Sequence, residues 1–253
     1  MNDTSPVLAE DHGDVRVLIL NRPAALNALN RALARAVVVA LQVAQADRAV
    51  ASVVMTGAGE RAFCAGVDLT EAQALTASDI PAWFTEISEC YRQILLLDKP
   101  VVAALNGVAA GGGYQIALVA DWRIGHVRTR MAQPEINAGL PSIMGAYFMR
   151  FYLPHSVNQD LSYSGRIMHA EECRRLGLLN ELVPPAELGE SARVQARALA
   201  AKAAVAFIAT KARFREHVLA GFDDARAAAI TGMQAAYAAG EPQRRMAEFL
   251  AKR

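Results

Sequence analysis

The order of predicted elements indicates an α/β fold that ends in a helical section. Apolar, β-branched runs of strand length alternate with stretches of helical periodicity up to about residue 185. Turns rich in glycine close several of these strands, and the chain beyond Pro185 is alanine-rich with helical spacing throughout. This order predicts α/β repeats in residues 1–185, followed by a helical C-terminal section in residues 186–253.

The predicted strands are short and apolar. Residues 7–9 and 15–20 flank the turn residues His12, Gly13 and Asp14, and this pattern predicts an opening hairpin. The other apolar runs of strand length predict strands at residues 50–55, 100–105, 122–125 and 166–168.

The predicted helices follow the 3.6-residue spacing of apolar positions. They cover residues 27–46, 79–97, 114–120, 141–153, 157–162 and 170–178, before the helical section begins.

Composition excludes several classes of function. The 253-residue chain is 53% hydrophobic and 20% charged, which argues against disorder. A net charge of +1 provides no general attraction to nucleic acid or to an anionic membrane. The three cysteines show no paired metal-binding spacing, so we predict no metal site and a reducing, cytoplasmic location. Residues 101–122 are too interrupted by polar residues and glycines to predict a membrane span.

Small residues follow a predicted strand at Ala65 and Gly66, next to Val67. Residues of this size allow a ligand to approach the main chain closely. A tight turn packed on the core explains the segment equally well when it is taken alone.

Three consecutive glycines, 111–113, precede a predicted helix. Each helical glycine costs roughly 1 kcal/mol relative to alanine, whereas a helix start offers N–H groups to developing negative charge. The segment lacks the spacing of a dinucleotide-binding loop and the Gly-Lys-Ser/Thr of a P-loop. An oxyanion hole is therefore a reasonable hypothesis.

A third segment, Gln133-Pro134-Glu135, places an acid after a proline in an otherwise apolar region. A helix N-terminal cap and a catalytic acid both fit this pattern.

Taken together and in this order, these segments resemble the enoyl-CoA hydratase/isomerase family, also called the crotonase superfamily. The resemblance covers nearly the whole chain. It is carried by residues 20–29 (LNRPAALNAL), 62–69 (AFCAGVDL), 99–107 (KPVVAALNG) with the glycines 111–113 and Asp121, 168–172, and 177–184 (GLLNELVP).

The resemblance implies a crotonase-like spiral of β-β-α turns whose helical C-terminal section builds homotrimers, often paired into hexamers. It also implies that the N–H groups of Val67 and Gly112 bind the thioester oxygen of an acyl-CoA. Coenzyme A would be part of the substrate, and no further cofactor is expected. Lys211 is a candidate contact for its phosphates. The implied substrate-binding residues are Ala24, Ala25, Leu26, Ala65, Gly66, Asp68, Leu69, Thr70 and Gly111.

Two departures from the family pattern bear on the reaction. Family hydratases use two glutamates, whereas this chain has Gln115 at the first position and retains Glu135 at the second. The segment after the acid is also one residue shorter than usual. A glutamine cannot exchange a proton, so we predict double-bond isomerisation or other chemistry that needs one carboxylate. The alternatives are an enoyl-CoA hydratase in which Gln115 positions water, and a non-catalytic acyl-CoA-binding relic.

We expect structural roles for the other conspicuous side chains. We expect Cys64 to be a buried small hydrophobe, because no basic neighbour in the sequence would lower the pKa of its thiol. Asp121 is expected to cap or pair within the scaffold, and His126 to be structural. The basic tail from Gln243 is expected to form a solvated helix face.

Overall fold

The protein's computed structural model describes residues 4–251, and these contain ten strands in two sheets. The strands are β1 (Val7–His12), β2 (Val15–Leu20), β3 (Ser52–Gly57), β4 (Ala62–Cys64), β5 (Val101–Ala104), β6 (Val108–Ala110), β7 (Trp122–Gly125), β8 (Arg130–Ala132), β9 (Ile167–His169) and β10 (Glu181–Leu182).

Helices connect and cover the sheets. They are α1 (Arg31–Ala46), α2 (Leu69–Gln73), α3 (Ile80–Leu96), α4 (Gly112–Val119), α5 (Ile143–Met149), α6 (His155–Ser164), α7 (Ala170–Arg175), α8 (Leu188–Ala200), α9 (Ala204–Leu219), α10 (Phe222–Ala238) and α11 (Glu241–Leu250). Short 3₁₀ turns occupy Pro23–Ala25, Glu135–Ala138 and Pro185–Glu187.

The two sheets are linked by a repeating path of the chain. The six-stranded sheet has the order β1-β2-β3-β5-β7-β10, and the four-stranded sheet has the order β4-β6-β8-β9. From β3 to β8, one strand enters the large sheet, the next enters the small sheet, and helical structure follows. This alternation produces successive β-β-α turns of a spiral. Within each sheet the neighbours are parallel, except for the β1–β2 hairpin and the β8–β9 pair.

Both faces of the large sheet are covered, which explains why its central strands are continuously apolar rather than alternating. Val53 and Val101 face the main core, whereas their neighbours Val54 and Val102 belong to a second cluster. Helix α8 completes that second cluster with Leu188, Ala192 and Ala196. The helical C-terminal section therefore contributes directly to the packing of the sheet.

Most predicted elements agree with the structure to within a few residues, including the opening hairpin. The first predicted helix begins at Arg31 rather than at residue 27, because Leu26 and Asn27 adopt positive φ and Asn30 caps the helix. The Asn30 side chain accepts a hydrogen bond from the Leu33 N–H at 2.9 Å. The strands β4, β6, β8 and β10 were not predicted, since two or three residues are too short to show a periodicity. Among the described helices, none has the length and apolar character needed to cross a membrane.

Candidate active site

The three segments singled out in the sequence all leave the same edge of the small sheet. Strand β6 pairs in parallel with β4 on one side and with β8 on the other. Parallel strands end at a common edge, so the residues after β4, β6 and β8 emerge side by side. These are Ala65–Val67, Gly111–Gly113 and Gln133–Glu135, respectively.

The bend after β4 presents an unpaired amide. Gly66 has φ +101°, a conformation that favours glycine, and a Cβ there would lie 3.1 Å from the carbonyl oxygen of Ala110. Leu29 holds the bend from the other side: its N–H donates to Gly66 O at 2.7 Å, and its oxygen accepts from Asp68 N at 3.0 Å. Within the described chain, the intervening Val67 N–H has no hydrogen-bond acceptor.

The bend after β6 presents a second amide. Gly111 has φ +50°, and its N–H donates to Ala132 O at 3.0 Å. Gly112 is the first residue of α4, so its N–H has no acceptor within the helix. A Cβ on Gly112 would lie 3.8 Å from Val67 Cγ1. The two amides assigned by resemblance to an oxyanion hole thus lie on adjacent bends.

The acid after β8 is directed toward these bends. A Cβ on Gly111 would lie 2.9 Å from Glu135 Oε1, and this same oxygen accepts a hydrogen bond from Gln115 Nε2 at 2.9 Å. Glu135 Oε2 is buried and has no hydrogen-bond partner within residues 4–251. Burial raises the pKa of Glu135 to about 7. This carboxyl group can therefore both accept and donate a proton near neutral pH.

Two neighbouring spaces share this acid in their lining. An outer pocket of about 570 Å³ opens along the Gly66 bend, and an inner cavity of only about 30 Å³ lies beyond it. Both are lined by Val67, Glu135 and Leu140. The inner cavity is otherwise mainly apolar, with Trp83, Phe84, Leu140, Pro141, Met144, Ala229 and Met233 among its lining residues. This difference in volume suits a large group in the outer pocket and a small group in the inner cavity.

Most of the predicted substrate-binding residues line the outer pocket. They are Ala25, Ala65, Gly66, Asp68, Leu69, Thr70 and Gly111. Ala24 and Leu26 do not line it: Ala24 is exposed on the adjoining turn, and the Leu26 oxygen accepts a hydrogen bond from Ala65 N at 3.1 Å. Asp68 caps α2 by accepting from the N–H groups of Thr70 and Glu71.

Several lining residues were not predicted from the sequence. Arg22 lines the outer pocket, where it forms an ion pair with Asp68 at 2.7 Å, and Tyr91 lines the inner cavity. Phe249 and Leu250 reach the outer pocket from α11. Arg22 lies in residues 20–29, one of the segments that carry the family resemblance. Tyr91, Phe249 and Leu250 have no local sequence signal that connects them with a site formed by distant segments.

Two predictions about the C-terminal section need correction. Lys211 is not a phosphate contact in this pocket: it is 8% exposed, and its Nζ lies 2.6 Å from Asp121 Oδ2 and 2.9 Å from Lys99 O. The tail is not simply a solvated face either, because α11 buries Met246 and lines the outer pocket. Residues 252–253 of that tail lie outside the described residues.

The structural roles predicted for other side chains agree with their surroundings. Cys64 is fully buried, and burial raises the pKa of its thiol to about 12. Asp121 also accepts a hydrogen bond from Val101 N at 2.7 Å. His126 is buried, and its Nδ1 accepts from Arg128 N at 3.2 Å.

Comparison with known proteins places the chain among acyl-CoA enzymes. The family model described as Enoyl-CoA hydratase/isomerase matches residues 10–253. The chain is 31% identical to a short-chain-enoyl-CoA hydratase of Clostridium acetobutylicum, with 98% of this chain and 95% of that protein covered. It is 32% identical to a carboxymethylproline synthase of Pectobacterium carotovorum subsp. carotovorum, with coverage of 98% and 99%.

The fold is also shared with solved structures. The structure of a carnitinyl-CoA dehydratase from Mycobacterium avium 104 superposes with a TM-score of 0.81 at 30% identity, covering 95% of this chain and 96% of that one. The predicted crotonase-like α/β fold is thereby confirmed.

Proposed function

Because the chain belongs to the enoyl-CoA hydratase/isomerase family, we propose that it catalyses a reaction of an acyl-CoA thioester in which Glu135 alone moves the proton. The coenzyme A portion would occupy the outer pocket, and a short acyl group would occupy the inner cavity. The thioester carbonyl would then lie where the two spaces meet, beside Val67 and Gly112. The specific reaction that we propose is the shift of a double bond from C3 to C2.

Stabilisation of negative charge on the thioester oxygen is the main catalytic effect expected here. Loss of a proton from C2 converts the thioester into an enolate, whose charge is centred on that oxygen. The N–H groups of Val67 and Gly112 have no partner in the described chain and need no reorganisation to donate. Removal of one such donor typically costs about 3–4 kcal/mol of transition-state stabilisation.

In the isomerisation that we propose, a single carboxyl group both removes the C2 proton and returns it. Glu135 takes the C2 proton, the C2 electrons form the enolate, and the same carboxyl group returns the proton at C4 as the double bond moves to C2–C3. Gln115 holds Oε1 through its amide N–H and cannot exchange a proton itself. The observation that supports this assignment is the position of Glu135: it is the carboxylate among the residues lining the inner cavity.

Hydration of a 2-enoyl thioester is the second candidate. Glu135 would take a proton from water as the water oxygen bonds to C3, and would deliver a proton to C2. The relatives named hydratase or dehydratase favour this reaction. The inner cavity, with room for roughly two water molecules, and the Gln115 amide beside the acid are compatible with it.

The two reactions are separated by incubating the protein with but-3-enoyl-CoA and, separately, with but-2-enoyl-CoA. Isomerisation raises the absorbance of the conjugated thioester with unchanged mass, whereas hydration removes this absorbance and adds the mass of one water. Hydration of but-2-enoyl-CoA with no shift of but-3-enoyl-CoA would reject the isomerase assignment.

Two variants sharpen this experiment. Glu135→Gln should slow either reaction by about 10²–10⁴-fold while binding is retained. If Gln115 only positions water, Gln115→Glu should raise the hydration rate by providing a second proton-transfer group. Saturable binding of both thioesters without turnover would instead indicate the non-catalytic alternative.

A cytoplasmic location of the protein stays a prediction.

A further inference from the structure

Gln133 carries a fully buried amide that lies two residues before the acid and has no role in the reaction described above. We propose that Gln133 is a positioning residue, whose amide N–H donates a hydrogen bond to Oε2 of the ionised Glu135. Together with the Gln115 amide at Oε1, this bond fixes both oxygens of the carboxylate. The inference rests on the proposed function for the role of Glu135 as the base.

The Gln133 amide is enclosed by protein that does not satisfy its hydrogen-bonding groups. The side chain is 0% exposed, and neither its Nε2 nor its Oε1 has a hydrogen-bond partner within residues 4–251. Gln133 lines neither the outer pocket nor the inner cavity, so a substrate in these spaces does not contact it. Because a buried amide without a partner costs free energy, its partner is to be sought among the protein groups around it.

The amide is confined between β8 and α5. A Cβ on Gly145, in α5, would lie 2.0 Å from Gln133 Nε2 and 2.3 Å from Gln133 Oε1. The amide therefore occupies the space that a side chain at position 145 would fill. Rotation about the last side-chain bond, which is a broad torsion, is enough to redirect its N–H groups.

Glu135 Oε2 is the complementary group. It is a buried acceptor without a donor, whereas Oε1 already accepts from Gln115 at 2.9 Å. Burial raises the pKa of Glu135, and its own main-chain N–H and the Gln133 amide partly oppose this rise. The amide is thus close enough to favour the charged carboxylate, although no hydrogen bond of standard geometry joins the two side chains in this arrangement. A carboxylate oxygen accepts more than one hydrogen bond, so Oε2 keeps a lone pair for the substrate proton.

Three hydroxyl groups in the surrounding elements are the competing donors for Oε2. Tyr91 lines the inner cavity, where a bound molecule can be the partner of its hydroxyl. The hydroxyls of Tyr114 and Ser142 are buried without a partner, as the Gln133 amide is. Of these four groups, the Gln133 amide is the one whose hydrogen bonding favours the charged form of Glu135.

The other charged and titratable side chains that face Glu135 do not obscure its titration. Tyr91 on α3 and Tyr114 on α4 are buried, and burial raises the pKa of each well above its usual value. Arg22 and Asp68 in the outer pocket are paired with each other at 2.7 Å. The lining side chains from α5, α10 and α11 are apolar. A change in the titration of Glu135 can therefore be assigned to the residue that is replaced.

The test reads the ionisation of Glu135 directly in the full chain. Protein labelled with carbon-13 at the glutamate carboxyl carbons is titrated by NMR, and the Glu135 signal is identified by its absence from Glu135→Gln. Gln133→Met replaces the amide by an apolar side chain of similar length. We expect it to raise the titration midpoint by about one pH unit or more, because a hydrogen bond to the charged form is lost.

The pH dependence of turnover is the second readout. The rise of kcat/KM for but-3-enoyl-CoA should move to higher pH by the same amount in Gln133→Met. The KM measured at high pH should change little, because Gln133 does not touch the substrate. Gln133→Leu provides a second apolar replacement, and melting curves check that each variant is folded.

Gln243→Met is the matched control. The Gln243 amide oxygen is also buried without a partner, but this residue lies on α11 and lines neither of the two spaces. Gln243→Met should leave the titration midpoint of Glu135 unchanged.

Tyr91→Phe, Tyr114→Phe and Ser142→Ala remove the competing hydroxyl donors, and each should shift the midpoint less than Gln133→Met does. The proposal is overturned if the Gln133 variants titrate as the parent does, if they lower the midpoint, if a hydroxyl variant gives the larger shift, or if neither Gln133 variant folds. Absence of both isomerisation and hydration in the parent protein would reject the proposed function instead, because the NMR titration needs no turnover.

Discussion

Glu135 combines two properties that a solvent-exposed carboxylate lacks. Its Oε2 is buried without a partner, which disfavours the charged form, and its Oε1 is held by one amide donor from Gln115. The resulting pKa of about 7 divides the population of this group between its acidic and basic forms near neutral pH. Catalysis and stability should therefore respond to the same ionisation.

We expect kcat/KM for isomerisation to rise about tenfold per pH unit below pH 7 and to level off above it, since the base must be ionised. Glu135→Gln should reduce turnover by about 10²–10⁴-fold at pH 8. Initial rates across the pH range provide the measurement. If kcat/KM instead levelled off near the ordinary glutamate pKa of 4.5, the assignment of Glu135 as the base would be contradicted.

The same ionisation should affect stability with a definite sign. Because the folded pKa of about 7 exceeds the unfolded value of 4.5, the folded state retains the proton longer, and stability falls as pH rises between these values. Glu135→Gln should therefore be more stable than the parent at pH 8, by about 1–3 kcal/mol, and nearly equal to it at pH 4.5. The exposed Glu187→Gln serves as the control and should show no such pH-dependent difference.

At the scale of elements, the site depends on close contact between the ends of β4 and the start of α4. A Cβ on Gly113 would lie 2.1 Å from the Cys64 carbonyl oxygen, so no side chain can be accommodated without moving main chain. This contact brings the two amide-bearing bends together. Glycine is therefore needed here for the close approach of β4 and α4 as well as for the local turn.

We therefore expect Gly113→Ala to lower the free energy of unfolding by several kcal/mol or to prevent folding, although alanine is ordinarily the better helix former. Gly189→Ala, in α8, is the control. A Cβ there would meet only Arg193 Nη1 at 3.5 Å, so stability should be unchanged or raised by up to about 1 kcal/mol. Chemical denaturation measures both, and equal effects would contradict the contact argument.

At the scale of the whole molecule, the C-terminal section has three separate roles. Helix α8 covers the large sheet, α10 and α11 contribute residues to the site, and α9 remains mostly exposed. On α9, Val205 is 84% exposed and Phe214 is 74% exposed. Exposed apolar side chains of this size in one element are characteristic of an interface between subunits.

We expect a homotrimer or hexamer, with a mass of three or six times 27.1 kDa in light-scattering measurements. The combined change Val205→Glu and Phe214→Glu should lower this mass, because charge would be buried at the interface. Val194→Glu is a matched change at another exposed valine, 55% exposed on α8, and should not lower it. A particle of 27.1 kDa for the parent protein would refute the expectation.

The sequence by itself determined the α/β class, most helices, the central strands and the three segments to which we assign the chemistry. Those features depend on local periodicity, turn residues and glycine spacing, which are readable within a short window. Tertiary structure decided how the segments meet, because strands of three residues after Arg61, Gly107 and Thr129 have no periodicity of their own and form only by pairing with one another. It likewise decided that Tyr91 lines the inner cavity and that Lys211 pairs with Asp121, since each side chain is placed by packing between elements far apart in the chain.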